Sequence, residues 1–81
     1  MTITVKLFAR AKELAGTDRV ELELPEAGCV RDMKQKLENR FPQLSPLVPR
    51  LLVAVGSDYA KDDVPLSPTA DVACFPPVSG G

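Results

Sequence analysis

An α+β fold is expected for this chain of 81 residues: a mixed four- to five-stranded sheet with one main helix across one face. Three observations predict it. Two segments near the start alternate apolar and polar residues at strand period, and two later ones are short and apolar. A single longer segment repeats its apolar residues at three- and four-residue spacing. Proline and glycine stand between these segments, where the chain has to turn.

The first strand is TITVKL, in which Ile3, Val5 and Leu7 alternate with Thr2, Thr4 and Lys6. ARAKELAG follows; its Ala and Leu content suits a short helix, and Gly16 suits a left-handed cap at its end. In RVELEL, Val20, Leu22 and Leu24 point inward and Arg19, Glu21 and Glu23 outward, until Pro25 stops the strand. CVRDMKQKLENRF is the main helix. Val30, Met33, Lys34, Leu37 and Phe41 lie along one stripe, all but Lys34 apolar. Pro42 ends it, because the residue before a proline avoids helical angles.

SPLVP reads as a rigid loop. LLVAV is nearly continuous in its apolar residues, which suggests a central strand, and Gly56 supplies a turn with positive φ. The stretch from Tyr59 to Asp71 is rich in turn residues, with one short edge strand expected around Val64 to Leu66. DVACF is the last strand. The helix between the second and third strands is long enough for a crossover, and the order is that of a ubiquitin-like β-grasp roll. Residues 1–75 form one such domain, and residues 76–81 an extended tail.

Composition excludes several function classes. A net charge of −1 offers no basic face for nucleic acid or an anionic membrane. No apolar run approaches the roughly 20 residues of a membrane span. The start, MTITVKLFARAKE, carries no signal-peptide pattern, so a cytoplasmic protein is expected. With no histidine, the chain holds neither a Ser–His–Asp nor a Cys–His site. Cys29 and Cys74 stand far apart without metal-type spacing; they read as small apolar residues, a disulfide being disfavoured in a reducing compartment. The acidic pairs, Asp62 with Asp63 and Glu21 with Glu23, read as solvated surface. No glycine-rich loop has the spacing of a phosphate cradle. A self-sufficient enzyme is not expected, nor a bound cofactor or metal.

The chain closes on FPPVSGG. A frayed tail would explain it, since termini commonly are. The sharper reading makes the α-carboxyl of Gly81 the functional group. At neutral pH it is an unreactive carboxylate, useful only if another enzyme activates it. Gly80 and Gly81 lack a Cβ, so the walls of a narrow channel can approach their backbone. Pro76 and Pro77 favour an extended approach. The residues beyond Phe75 reach roughly 20 Å when extended. Strand parity adds a second feature. Phe8 and Phe75 fall on the sheet face that the helix leaves bare, if the first and last strands are neighbours, and would form an apolar patch beside the root of the tail. Otherwise Phe8 packs under the short helix and Phe75 is core.

LFARAKELAGTD, LLVAVGS and DVACFPPVSGG together resemble the small subunits of molybdopterin synthase, in order and at compatible spacing over nearly the whole chain. The resemblance departs at Gly56, where asparagine is common, and at Lys12, where arginine is. It implies a sulfur carrier whose Gly81 is adenylated with ATP by an enzyme of the ubiquitin-activating type. A sulfurtransferase or cysteine desulfurase then supplies sulfur to give a thiocarboxylate. It implies that the tail, Pro76, Pro77, Val78, Ser79, Gly80 and Gly81, inserts into the large subunit and passes sulfur to cyclic pyranopterin monophosphate, making molybdopterin. Phe8 and Phe75 would be the apolar interface, in an assembly of two small and two large subunits. A protein modifier conjugated through Gly81, another β-grasp sulfur carrier and a plain interaction module are the rival expectations.

Overall fold

The computed structural model describes residues 1–77. Its elements are β1 (Thr2–Leu7), α1 (Ala9–Ala15), β2 (Arg19–Glu23), α2 (Val30–Arg40), short 3₁₀ turns at Pro42–Leu44 and Val48–Arg50, β3 (Leu52–Val55), β4 (Asp58–Tyr59) and β5 (Val72–Phe75). They form one five-stranded sheet in the order β2-β1-β5-β3-β4. β1 and β5 are parallel, and the other pairs are antiparallel. With α2 on one face, this is the ubiquitin-like β-grasp arrangement.

Alternation in the strands becomes rows of side chains once the register is set. Val5 stands between Val20 and Val72, and Val72 in turn faces Val55. Leu7, Cys74 and Val53 make the next row. Ile3, Val5, Leu7, Val72 and Cys74 are almost wholly buried. Against them lie Val30, Met33 and Leu37, all inaccessible, from the apolar stripe of α2. Each such side chain contributes about 1.5–3 kcal/mol by leaving water.

Lys34, the polar member of that stripe, keeps most of its side chain out of water and sets its Nζ 2.9 Å from Asp62 Oδ1. This hydrogen bond holds the Asp62 carboxyl below its ordinary value. The loop carrying Asp62 also closes the start of α2. Val30 N–H donates to the Val64 carbonyl at 3.0 Å, and Arg31 N–H to the Asp62 carbonyl at 2.9 Å. Two of the donors that every helix start leaves without an internal partner are thereby satisfied.

The structure departs from the expected pattern in four places. SPLVP lies within the stretch of short 3₁₀ turns rather than being a plain loop. No strand spans Val64 to Leu66; Pro65 makes only an isolated bridge with Cys29, because proline has no N–H for a ladder. The edge strand is β4 instead, folded back on β3 by the turn at Gly56, whose φ is 66°. β3 is next to the edge rather than central, and its Leu52 is exposed on the open face. Finally, Cys29 is more than an apolar filler. It stands at the N-cap of α2, where its N–H donates to Asp32 Oδ2 at 2.9 Å and its thiol donates to the same oxygen at 3.4 Å. The bond from the Cys29 N–H lowers the Asp32 carboxyl below its usual range.

The turn from Pro25 to Gly28 yields a stability prediction. Gly28 N–H closes it onto the Pro25 carbonyl at 2.9 Å, and Ala27 at its third position has φ 65°. That conformation suits glycine and strains a residue with a Cβ. Ala27→Gly is expected to raise stability by about 0.5–1 kcal/mol, the relief of strain exceeding the added chain entropy. Gly28→Ala is expected to do the reverse, since its Cβ would stand 2.9 Å from the Pro25 oxygen. Thermal melts of the two variants check both signs.

Among the described residues, no helix is long and apolar enough to cross a membrane.

Candidate functional site: the root of the C-terminal tail

β5 lies at the centre of the sheet, between β1 and β3, and its last residue is Phe75. The chain therefore leaves the domain from the middle of the sheet end. Pro76 is half-buried there and Pro77 exposed. Val78, Ser79, Gly80 and Gly81, the tail residues singled out from the sequence, lie outside the described residues.

Phe8 and Phe75 come together as the parity of their strands requires. Their rings stack with centroids 4.8 Å apart and planes inclined by 11°. Phe8 remains 41% exposed and Phe75 is half-buried, so neither belongs to the closed core. Phe8 does not pack under α1; its N–H donates to the Cys74 carbonyl at 3.2 Å, tying the end of β1 to β5. An offset stack of this kind is worth about 0.5–1.5 kcal/mol beyond its area.

The register enlarges this patch with residues that periodicity did not single out. Leu52 pairs with Phe75 across β3 and β5, and is 38% exposed. Ala54 pairs with Ala73 on one side and Tyr59 on the other, and Tyr59 is 74% exposed. Leu52 read as part of a buried run and Tyr59 as part of a loop. Only the pairing of β3 with β5 and β4 shows that Leu52 borders the aromatic pair and that Tyr59 stands farther along the same face. A cleft lined by Lys6, Phe8, Lys12, Asp18 and Arg19 gives the patch a charged rim of mixed sign on its other side, with Lys6 Nζ 3.4 Å from Asp71 Oδ1.

Both cysteines are free. Burial pushes the Cys74 thiol up to about 12, so it stays protonated and inert. Among the described residues, no group of His, Cys, Asp or Glu is placed to hold a metal ion, and no buried side-chain polar atom lacks a partner. Asp62 is tied to Lys34, and Glu23 accepts a hydrogen bond from the Thr2 hydroxyl; the acidic pairs are surface groups, as their sequence context indicates.

Cys74 gives a prediction in alkali. Burial raises its thiol from 9.0 to about 12 on folding. A raised thiol value means that the folded state holds its proton longer. The corresponding stability is complete below about pH 9 and declines by about 1.4 kcal/mol per pH unit toward about pH 12. Cys74→Val should lose this decline. Denaturant titrations of both proteins at pH 8 and at about pH 10.5 measure it, and parallel losses would remove Cys74 as the cause.

What this site can do is bring the chain beyond Phe75 out to the surface. A rigid central strand delivers the chain to an exposed aromatic patch, from which a proline-stiffened segment departs. The chain is 36% identical over 81 residues to the molybdopterin synthase sulfur carrier subunit of Escherichia coli (strain K12), covering 98% of this chain and 99% of that protein. It is 32% identical over 79 residues to the protein of the same description from Arabidopsis thaliana, with 98% and 82% covered. Among solved structures, small archaeal modifier protein 1 of Haloferax volcanii superposes with a TM-score of 0.85 at 25% identity, covering 95% of this chain and 98% of that one. The ThiS family model matches residues 5–81, from the middle of β1 through the final Gly-Gly, and the chain belongs to the ThiS family.

Proposed function

We propose that the protein is the sulfur carrier subunit of a molybdopterin synthase, acting in molybdenum cofactor biosynthesis. The observation that carries the reading is the placement of β5. The strand that leads to the Gly-Gly end is the central one, and Phe75 at its close stacks on Phe8 in an open apolar patch. The sulfur carrier subunits among its relatives support the reading.

In this reading Gly81 carries the chemistry and the folded domain is its handle. An adenylating enzyme of the ubiquitin-activating type transfers AMP from ATP to the carboxylate, releasing pyrophosphate. The carbonyl becomes electrophilic, the outer sulfur of a persulfide on a sulfurtransferase or cysteine desulfurase displaces AMP to give an acyl disulfide, and a thiol reductant cleaves that disulfide to leave the thiocarboxylate. Pro76, Pro77, Val78, Ser79 and Gly80 form the stalk that enters the large subunit. There the sulfur passes to cyclic pyranopterin monophosphate, and two rounds build the dithiolene. Phe8 and Phe75 dock the domain, giving an assembly of two small and two large subunits. ATP is consumed by the activating enzyme, and the domain itself binds no cofactor. The reading makes it a cytoplasmic protein, in line with its free thiols.

The test is the intact mass of the protein after incubation with ATP, the adenylating enzyme, the sulfur donor and a thiol reductant. Exchange of one oxygen for sulfur at Gly81 is expected, together with molybdopterin formation when the large subunit and the pterin are added. A protein that is adenylated but never gains sulfur would overturn the carrier role. The likeness to small archaeal modifier protein 1 favours a second reading, conjugation of Gly81 to lysines of other proteins. Conjugates of high mass in an immunoblot of cells would reveal it.

A further inference from the structure

The junction between β1 and α1 contains a residue in an unexpected conformation. Ala9 has φ 54°, in the left-handed region that a side chain with a Cβ disfavours. The other left-handed residues have local reasons: Gly16 caps α1, Gly56 opens a turn, and Ala27 is the third residue of one. Ala9 instead opens a helix, where a negative φ is the rule. It is exposed, so no buried contact of its own offsets the strain.

Its neighbours indicate what the kink achieves. Phe8 is still extended, with φ −127° and ψ 153°, and continues the alternation of β1 onto the open face. Its N–H is held by the Cys74 carbonyl, and its carbonyl accepts the Lys12 N–H at 3.4 Å. Two residues after the kink, Ala11 is inaccessible in the core. The chain therefore passes from the open face to the core side across Ala9 and Arg10, both exposed. The left-handed turn at Ala9 begins that passage. It keeps Phe8 against Phe75 and directs α1 away from the rings, so that Phe8 stays 41% exposed. A right-handed Ala9 would carry the chain off in a different direction and draw Phe8 with it.

The geometry points to Ala9 as a positioning residue: its left-handed backbone holds the Phe8–Phe75 stack in place and uncovered for docking. The docking half of this statement rests on the function proposed above; the conformational half does not.

The test combines nuclear Overhauser cross-peaks between the two rings, a thermal melt, and affinity for the large subunit of molybdopterin synthase. The β-branched Ala9→Val strongly disfavours positive φ, whereas Ala9→Asn and Ala9→Gly accept it. Ala9→Val is expected to lose the ring cross-peaks and to bind at least about tenfold more weakly, while still melting cooperatively. Ala9→Asn and Ala9→Gly are expected to keep both the cross-peaks and the affinity. A folded Ala9→Val with undiminished cross-peaks would overturn the proposal. If Ala9→Val does not fold, the other two decide: lost cross-peaks in either, with the fold intact, overturn it, and retained ones uphold it. Lost cross-peaks with unchanged affinity in Ala9→Val would uphold the role of Ala9 and overturn the docking role of the ring pair.

Discussion

Adding one residue after Gly81, or deleting Gly81, is expected to abolish sulfur transfer while leaving the melting curve unchanged. An extended chain still ends in a carboxylate, so charge is conserved. The carboxylate has moved by roughly 3.3–3.6 Å, the reach of one residue. Reacting groups must be held about 3–3.5 Å apart, and a misplacement of about 1 Å already costs about a hundredfold. A side chain on the added residue would also meet walls fitted to glycine. Deletion leaves Gly80 short by the same distance. The core lies within residues 3–74, so stability should not respond. ATP-dependent adenylation and thiocarboxylate formation, measured beside a thermal melt, test both variants. Normal sulfur transfer from the extended protein would remove Gly81 from its role.

Phe75→Ala is expected to weaken binding to the large subunit by about 2 kcal/mol or more, roughly thirtyfold, while the fold persists. Phe75 is half-buried, stacked on Phe8 and paired with Leu52 at the start of the tail. Aromatic anchors ringed by polar groups are where truncation costs most, and Lys6, Lys12 and Arg19 supply such a rim. Loss of the stack should lower stability by only about 1 kcal/mol. Leu37→Ala makes the opposite comparison. Leu37 is inaccessible under the sheet, so its truncation should cost about 2–5 kcal/mol of stability with little effect on the affinity of the protein that remains folded. Titration calorimetry and denaturant unfolding on both variants separate the effects. Loss of cooperative unfolding in Phe75→Ala would make it a core residue and end the docking argument.

Much of this architecture was legible from local pattern, because strand and helix periodicities are properties of neighbouring residues. Ile3, Val5 and Leu7 had to share a face, as did Val30, Met33 and Leu37, whatever they packed against. Gly16 and Gly56 marked left-handed positions, and Pro42 the end of α2, because backbone sterics act within one or two residues. The parity of Phe8 and Phe75 placed both on the open side, given only that the first and last strands adjoin.

Other features depended on partners that sequence distance concealed. LLVAV had the composition of a central strand, yet β3 lies next to the edge, since position in a sheet is set by which strands pair and not by apolar content alone. Lys34 looked like an interruption of the apolar stripe until the loop at Asp62 came within 2.9 Å of it. Cys29 looked like a filler until it stood at the start of α2 with Asp32 beside it. Ala9 carried no sign of strain in its own sequence, because alanine is ordinarily a good helix former. The chain's own periodicity and punctuation determined the strands, the main helix and the faces of Phe8 and Phe75. The central place of β5, the stacking of the two rings and the left-handed turn at Ala9 were decided by tertiary structure, because each depends on contacts or chain reversals between segments that local propensity does not relate.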